Sequence, residues 1–441
     1  MITSVARVTT PRRWSAALAA IVCAVLVAST INPGEAASSP QEGFEQFGTV
    51  VRVIDGDTIA VDVDGDGTSD TWSVRLIGIE AMSIYSRHIG GTYDHCHGQA
   101  AKRYLASVLL PGTRVRLSSI SDSRDPRQRL LRTVWKRNAQ GDFTVNVSRK
   151  MVTSGHALWF PFHREIAHNN AYHALADRVA RAGEARRKGT IWDDDHCGSG
   201  PRQAADLRVR AKWNADGVDG QNLNDEWVLV RNYEPYDIRL TGWKIRDSSQ
   251  TYYTFPRKSW VRAKSSVKLH IGKGSRTDRH FYWGMDGPKL DNASPKPGDD
   301  GDGVYLFDPE EDLRAWFTWP CLERCPNRLA GRVKITRVVF NPPGEDTPAK
   351  EYLVLRNVSN RAVGLEGWGV REMPNTYVFT RGRRIQPGAT LKLRVGRGED
   401  TAKTLHWGLP KTAFANVGGK AEIVNLRDTV AHCNAWGNQR C

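Results

Sequence analysis

Val53 to Ile59 reads V-I-D-G-D-T-I, and Val74 to Glu80 reads V-R-L-I-G-I-E. Residues 49–63 and 72–79 are rich in Val and Ile, and D-G-D-G-T-S-D (Asp64 to Asp70) lies between them as turn chemistry. The pattern predicts a β-hairpin. With its turn near Gly67, antiparallel pairing sets Asp57 roughly opposite Gly78, within a residue or two of Glu80. Two carboxylates distant in sequence then meet beside Arg75. Oxygen ligands of this kind suit a hard cation such as Ca²⁺ or Mg²⁺. A cation and a guanidinium side by side are the minimum equipment for holding a phosphate. For D-G-D taken alone, an ordinary tight turn is the competing reading.

Three further motifs accompany these: C-H-G-Q-A-A (Cys96 to Ala101), D-P-R-Q-R (Asp125 to Arg129) and A-R-R-K-G-T-I-W (Ala185 to Trp192). Over residues 47–198 the set resembles the staphylococcal nuclease (thermonuclease) family. The resemblance implies an OB-type β-barrel with helices that hydrolyses phosphodiesters of DNA or RNA with Ca²⁺. It implies metal carboxylates at Asp57 and Glu80 and catalytic arginines at Arg75 and Arg129. Arg127 and Phe160 to Phe162 are candidates for the substrate groove. The chain departs from the family where the family's general-base Glu would stand, because that position is Ser83. A hydroxyl does not take a proton from water near neutral pH. A positioned base contributes about 10²–10⁴-fold, while charge stabilisation by metal and arginine is often the larger share. The expectation is a weakened enzyme. The alternative is an inactive barrel within a protein that binds nucleic acid or an anionic cell-wall polymer at the cell surface.

Asp62, Asp64, Asp66 and Asp70 follow the D-x-D-x-D-G spacing of calcium loops. The twelfth position is Ser73 rather than Glu, and the flanks read as strands, so a hydrated hairpin tip competes with a second, structural Ca²⁺. Asp193 to Asp195 read as a solvated run.

Residues 1–36 read as a secretory signal: Arg7, Arg12 and Arg13, an apolar stretch from Ala16 to Thr30, and small residues at Gly34 and Ala36. A retained N-terminal anchor is the competing reading. No later segment is apolar enough to span a bilayer, so a secreted, extracellular protein is expected. Six cysteines follow Cys23, and an oxidising compartment favours disulfides. The nuclease resemblance implies Cys96–Cys197. Proximity suggests Cys321–Cys325 and Cys433–Cys441, although six cysteines allow fifteen pairings. His95, Cys96, His97, His196 and Cys197 offer a rival zinc reading, with solvated histidines as the plainer one.

The remaining sequence contains a repeat. E-W-V-L-V-R-N (Glu226 to Asn232) matches E-Y-L-V-L-R-N (Glu351 to Asn357), and L-T-G-W (Leu240 to Trp243) matches L-E-G-W (Leu365 to Trp368). A period this long marks a duplicated domain, and short alternating strands between Gly, Pro, Asn and Asp turns predict β-sandwiches. Residues 204–327 and 328–441 resemble lamin-tail domains, which implies immunoglobulin-like all-β folds with Trp243 and Trp368 in their cores. The expected architecture is therefore multidomain, an OB-type barrel with helices followed by two sandwiches.

Of the formal charge of +15, residues 328–441 carry +10. Arg381, Arg383 and Arg384, with Lys392, Arg394 and Arg397 on the next strand and turn, form a candidate polyanion-binding patch.

Overall fold

The computed structural model describes residues 42–441 except 67–69, 85, 89–90, 94–95, 162–167, 182–188, 194–195, 199–204, 250 and 294–299. The signal segment and the readings of Gly67, His95, Phe162, Asp194 and Asp195 lie outside the described residues.

A reversal at Gly56-Asp57 splits the first Val/Ile-rich run into β1 (Phe44–Asp55) and β2 (Thr58–Val63), with Asp55 opposite Thr58. D-G-D is thus a tight turn that also carries acidic side chains, so the two readings of it are compatible. The hairpin of β2 with β3 (Thr71–Leu76) forms with Thr58 opposite Arg75. Asp57 consequently faces Leu76, whose N–H donates to the Asp57 carbonyl at 2.9 Å. The expected partner, Gly78, lies two residues further on, because the turn is centred about one residue earlier than the sequence pattern suggested. Glu80 and Asp57 still meet at Arg75. Gly78 adopts φ +79°, open to glycine without a Cβ clash. It sends the chain back so that β4 (Ile79–Glu80) follows at once.

The short strands β5 (Ser86–His88) and β6 (Gly91–Tyr93) pair with each other. Then come α1 (Cys96–Val108), β7 (Arg114–Ser119), β8 (Leu130–Arg137), β9 (Phe143–Asn146), α2 (Val147–Thr153), β10 (Leu158–Trp159) and α3 (Asn169–Arg181). The sheet order β3-β2-β1-β7-β8 closes into a five-stranded barrel through a parallel β3–β8 pairing. Alternate residues of β2 (Ile59, Val61, Val63) point inward, with Val74, Leu76, Leu117 and Val134 from the other walls. Ala101 and Leu105, one helical turn apart on α1, cap one end. Each fully buried Val, Leu or Ile contributes about 1.5–3 kcal/mol.

The first sandwich comprises β11 (Leu207–Lys212), β12 (Trp227–Asn232), β13 (Ile238–Arg239), β14 (Lys244–Asp247), β15 (Tyr252–Thr254), β16 (Trp260–Val261), β17 (Ser266–His270), β18 (His280–Tyr282), β19 (Asp302–Phe307) and β20 (Leu313–Trp319). Sheets β11-β12-β17-β18 and β15-β14-β19-β20 enclose a core that includes Trp243. The second sandwich repeats this strand for strand. Trp227 faces His270 in the first, and Tyr352 faces Arg394 in the second. Trp368 occupies the equivalent core position.

The repeated E-x-x-x-x-x-N motif is structural. Asn232 and Asn357 are fully buried and donate to the carbonyls of Tyr236 and Arg361, each at 2.7 Å. Glu226 and Glu351, also fully buried, accept backbone N–H groups of Lys289 and Leu290, and of Ala413 and Phe414. Burial pushes the Glu226 carboxyl up to about 8, with Asp219 and Asp291 adding repulsion against the two N–H donors. The folded state therefore binds this proton more tightly than the unfolded chain does. The stability it confers is complete below the ordinary value of 4.5 and is lost as pH rises towards about 8. Glu226→Gln keeps an acceptor and cannot ionise. Its melting temperature is expected to fall less than wild type between those two pH values. Parallel curves would show that Glu226 stays ionised in the folded protein.

The three domains are in contact. Met82, Leu158, Ala180, Ile191 and Trp192 of the barrel region pack with Tyr305, Phe307 and Leu313 of the first sandwich. The second sandwich joins both neighbours. Trp213 donates to the Leu426 carbonyl at 2.9 Å, and Arg427 donates to both Asp177 oxygens, at 2.6 and 2.7 Å. Among the described residues no helix is long and apolar enough to cross a membrane.

Candidate active site

The β1–β2 turn, the end of β3 and β4 converge at one end of the barrel. Arg75 is 3 % exposed. Its Nη2 lies 2.6 Å from Glu80 Oε2 and 3.2 Å from Asp57 Oδ2, and it also donates to the Ile79 carbonyl at 2.8 Å. Asp57 is held from two further sides. The Ala81 N–H donates to Oδ2 at 3.0 Å, and the Thr58 hydroxyl donates to Oδ1 at 2.9 Å. Thr58 Oγ1 in turn accepts from Arg129 Nη1 at 3.1 Å. Asp125 orients Arg129 by accepting from its Nε at 2.7 Å and from its backbone N–H at 2.9 Å. Asp125 also accepts the Arg127 N–H. Asp57, Arg75 and Glu80 are thus in direct contact, and Arg129 reaches them through Thr58. Phe160 flanks the group, with the Arg75 guanidinium 5.8 Å from its ring centroid.

Asp55 belongs to this constellation and was absent from the sequence-based set. Its Oδ1 accepts the Gly56 N–H at 2.7 Å, and its Oδ2 lies 3.5 Å from Ser83 Oγ. The first D of V-I-D-G-D was the available signal. Only the tight turn at 56–57 brings Asp55 round to the same side as Asp57. Burial, then repulsion from Asp57 and Glu80, pushes the Asp55 carboxyl up to about 6. Burial alone would weaken proton binding by Arg75, but Asp57, Glu80 and Asp55 outweigh it and hold that guanidinium above the usual range. Three acids thus face one buried arginine.

Ser83 is fixed by packing. A Cβ on Gly98, in the first turn of α1, would lie 2.6 Å from the Ser83 carbonyl and 2.7 Å from that of Met82, so only glycine admits this approach. From the other side, buried Arg246 of the first sandwich places Nη1 3.4 Å from Met82 Sδ.

Asp55, Asp57 and Glu80 are all oxygen donors with excess negative charge, the type that suits a hard cation, but their carboxylates do not gather within 4.8 Å of one another. They are arranged around Arg75. Among the described residues, the one group of candidate ligand atoms lying within 4.8 Å of one another belongs to Cys96, His97, Cys197 and Asp312. There the zinc reading fails, because Cys96 and Cys197 form a disulfide with Cα atoms 5.5 Å apart and neither thiolate is available. Nor is His97 solvated. It is buried, and its Nε2 lies 3.0 Å from Asp312 Oδ1 of the first sandwich. Cys321–Cys325 and Cys433–Cys441 are also paired.

The other candidates are dispersed. Asp64 forms a bidentate pair with Arg114, and Asp66 accepts from Trp72 Nε1 at 2.8 Å. Asp62 lies within β2, whereas Asp70 is exposed at the hairpin tip. Among the described residues these four carboxylates do not converge. Asp193 is not simply solvated, since it accepts the Gly189 N–H at 2.7 Å. The six basic residues of the second sandwich make different local contacts. Lys392 and Arg394 lie over the Tyr352 ring, 4.5 and 5.7 Å from its centroid. Arg383 donates to the Thr401 carbonyl, Arg384 sits on a short strand, and Arg397 is exposed. Arg381 faces the first sandwich and donates to its Lys264 carbonyl at 3.0 Å.

The lamin tail domain family matches residues 212–321 and again 326–437. The barrel is similar to the thermonuclease of Staphylococcus intermedius, 30% identical over 178 residues that cover 40% of this chain and 93% of that protein. It is also similar to endonuclease YhcR of Bacillus subtilis (strain 168), 28% identical over 205 residues, 45% of this chain. The chain spans only 16% of the length of YhcR. With two matched repeats filling half its length and a barrel covering nearly all of a thermonuclease, the chain belongs to the lamin tail domain family and, through its barrel, to the thermonuclease family.

Proposed function

We propose that the barrel hydrolyses nucleic-acid phosphodiester bonds with Ca²⁺, weakly, in an exported protein. The observation that carries this reading is the contact of Arg75 with both Asp57 and Glu80 beside Arg129. Asp55, Asp57 and Glu80 would hold the cation, which when bound supplies Lewis-acid polarisation of a phosphoryl oxygen. Arg129 has Nη2 directed to no partner among the described residues, so it can donate to a phosphate while Asp125 keeps its plane fixed. Arg75 offers charge from beneath. Ser83 orients water at most, and this is the reason for expecting a slow reaction. Three disulfides support an oxidising destination, in line with the basic and apolar start of the chain.

Single-stranded DNA cleavage is expected with Ca²⁺ and to stop on chelation. Arg129→Ala is expected to lower kcat at least about 10²-fold. Equal rates with chelator, or from Arg129→Ala, would end the catalytic reading. A second reading, a barrel that binds nucleic acid without cleaving it, is favoured by one observation, the serine at position 83. It predicts inert wild type with retained, salt-sensitive DNA binding.

A further inference from the structure

A cleft of about 400 Å³ lies between the two sandwiches, within the range of about 300–1,000 Å³ typical of ligand sites. One wall is the face of β11, β12 and β17. The other is formed by the second sandwich around Gly367, Tyr377, Arg381 and Trp407. Some of its charges cancel. Lys212 pairs with Asp225 at 2.6 Å and with Asp216 at 3.4 Å, and Arg210 pairs with Glu366 at 3.4 Å. Arg231, Arg381 and Lys268 remain: Glu366 and Asp225 act on Arg231 and Lys268 from a distance, but among the described residues none of the three forms a close ion pair.

Arg231 is the telling member. It is 7 % exposed, and its Nε has no hydrogen-bond partner. Burial, then the field of Arg381 from the other domain, holds its guanidinium below the usual range. Two like charges from separate domains thus face the same space. Other contacts impose the approach: Asp216 of the first sandwich accepts the Thr376 N–H at 2.7 Å and Trp407 Nε1 at 3.1 Å. The repulsion and the unpaired buried donor are costs that an anion between the arginines would remove. The same walls carry aromatic rings. Lys268 lies 4.5 Å from the Trp227 ring centroid, and Tyr377 and Trp407 stand opposite, 6.1 Å apart in an edge arrangement.

We propose that this cleft binds a nucleotide unit, its phosphate between Arg231 and Arg381 and its base against the Trp227 and Tyr377 side walls. Guanidinium groups match phosphate geometry, and base–aromatic stacking contributes about 1–3 kcal/mol per base. The unit can be a free mononucleotide or one residue of a single strand. The site is separate from the barrel and does not depend on cleavage there.

Isothermal titration of the full chain in chelator tests it, with inorganic phosphate, thymidine 5′-monophosphate and a short oligothymidylate as probes. Nucleotide binding is expected to be tighter than inorganic phosphate and to weaken about tenfold or more in Arg231→Gln and in Arg381→Gln. The loss caused by Arg381→Gln is expected to be the same in an Arg129→Ala background, which separates this cleft from the barrel. Binding of both nucleotide probes identifies a free-nucleotide site, and binding of the oligonucleotide alone identifies a strand site. Inorganic phosphate binding as tightly as the nucleotides, affinity insensitive to Arg381→Gln, or no binding overturns the proposal. Arg381 is reached from the surface, so its variant remains informative if Arg231→Gln fails to fold.

Discussion

Arg75→Gln is expected to abolish detectable hydrolysis and, in chelator, to lower the melting temperature sharply. The side chain is almost fully buried and neutralises part of a pocket holding Asp55, Asp57 and Glu80. Removing one partner of a buried ion pair costs about 3–5 kcal/mol because the other charge is left without compensation. Loss of a preorganised donor at a developing charge costs about 10²–10³ in kcat. The two losses separate on adding Ca²⁺. A cation among the three carboxylates replaces the missing charge and restores stability, but it does not hold Asp57 and Glu80 in the geometry that the Arg75 guanidinium imposes, so activity stays lost. Thermal melts and single-stranded DNA cleavage, each with and without Ca²⁺, read both. Wild-type turnover from Arg75→Gln would remove Arg75 from the chemistry. Destabilisation that Ca²⁺ does not relieve would argue against a cation held by these acids.

Ser83→Glu is expected to raise kcat by about 10²–10⁴, the share of a positioned general base. The Ser83 hydroxyl is already 3.5 Å from Asp55, whose carboxyl is pushed up to about 6. A second carboxylate placed there raises the proton affinity of both, and a base poised near neutral pH is the effective kind. The backbone at this position is held by the close approach of Gly98 to the Met82 and Ser83 carbonyls. The measurement is kcat at saturating Ca²⁺ for wild type and variant. A rate unchanged or lowered, with folding intact, would mean that position 83 does not face the attacked phosphorus.

Much of this architecture is legible in the amino-acid sequence. Alternating Val and Ile on either side of D-G-D-G-T-S-D determine a hairpin, because a period of two leaves one face to bury. The duplicated E-x-x-x-x-x-N and L-x-G-W elements determine two sandwiches, and the structure supplies the reason. Glu226, Glu351, Asn232 and Asn357 each pin a backbone turn from inside a core. Asp57, Arg75 and Glu80 could be grouped because strand pairing is a local rule. Asp55 could not, since its place depends on a reversal at Gly56-Asp57 that the apolar pattern concealed.

What only the tertiary structure decided is how separate elements share space. Arg381 sits beside Arg383 and Arg384 in the chain, yet it serves a cleft with Arg231, 150 residues away. His97 looks like a solvated neighbour of a cysteine and proves to be buried against Asp312 of another domain. Met82, two residues past Glu80, is covered by Arg246. Secondary structure follows from periodicity along the chain, whereas burial and charge pairing between domains depend on which surfaces meet. No local pattern encodes that, because the interactions act through space between residues with no fixed spacing in sequence.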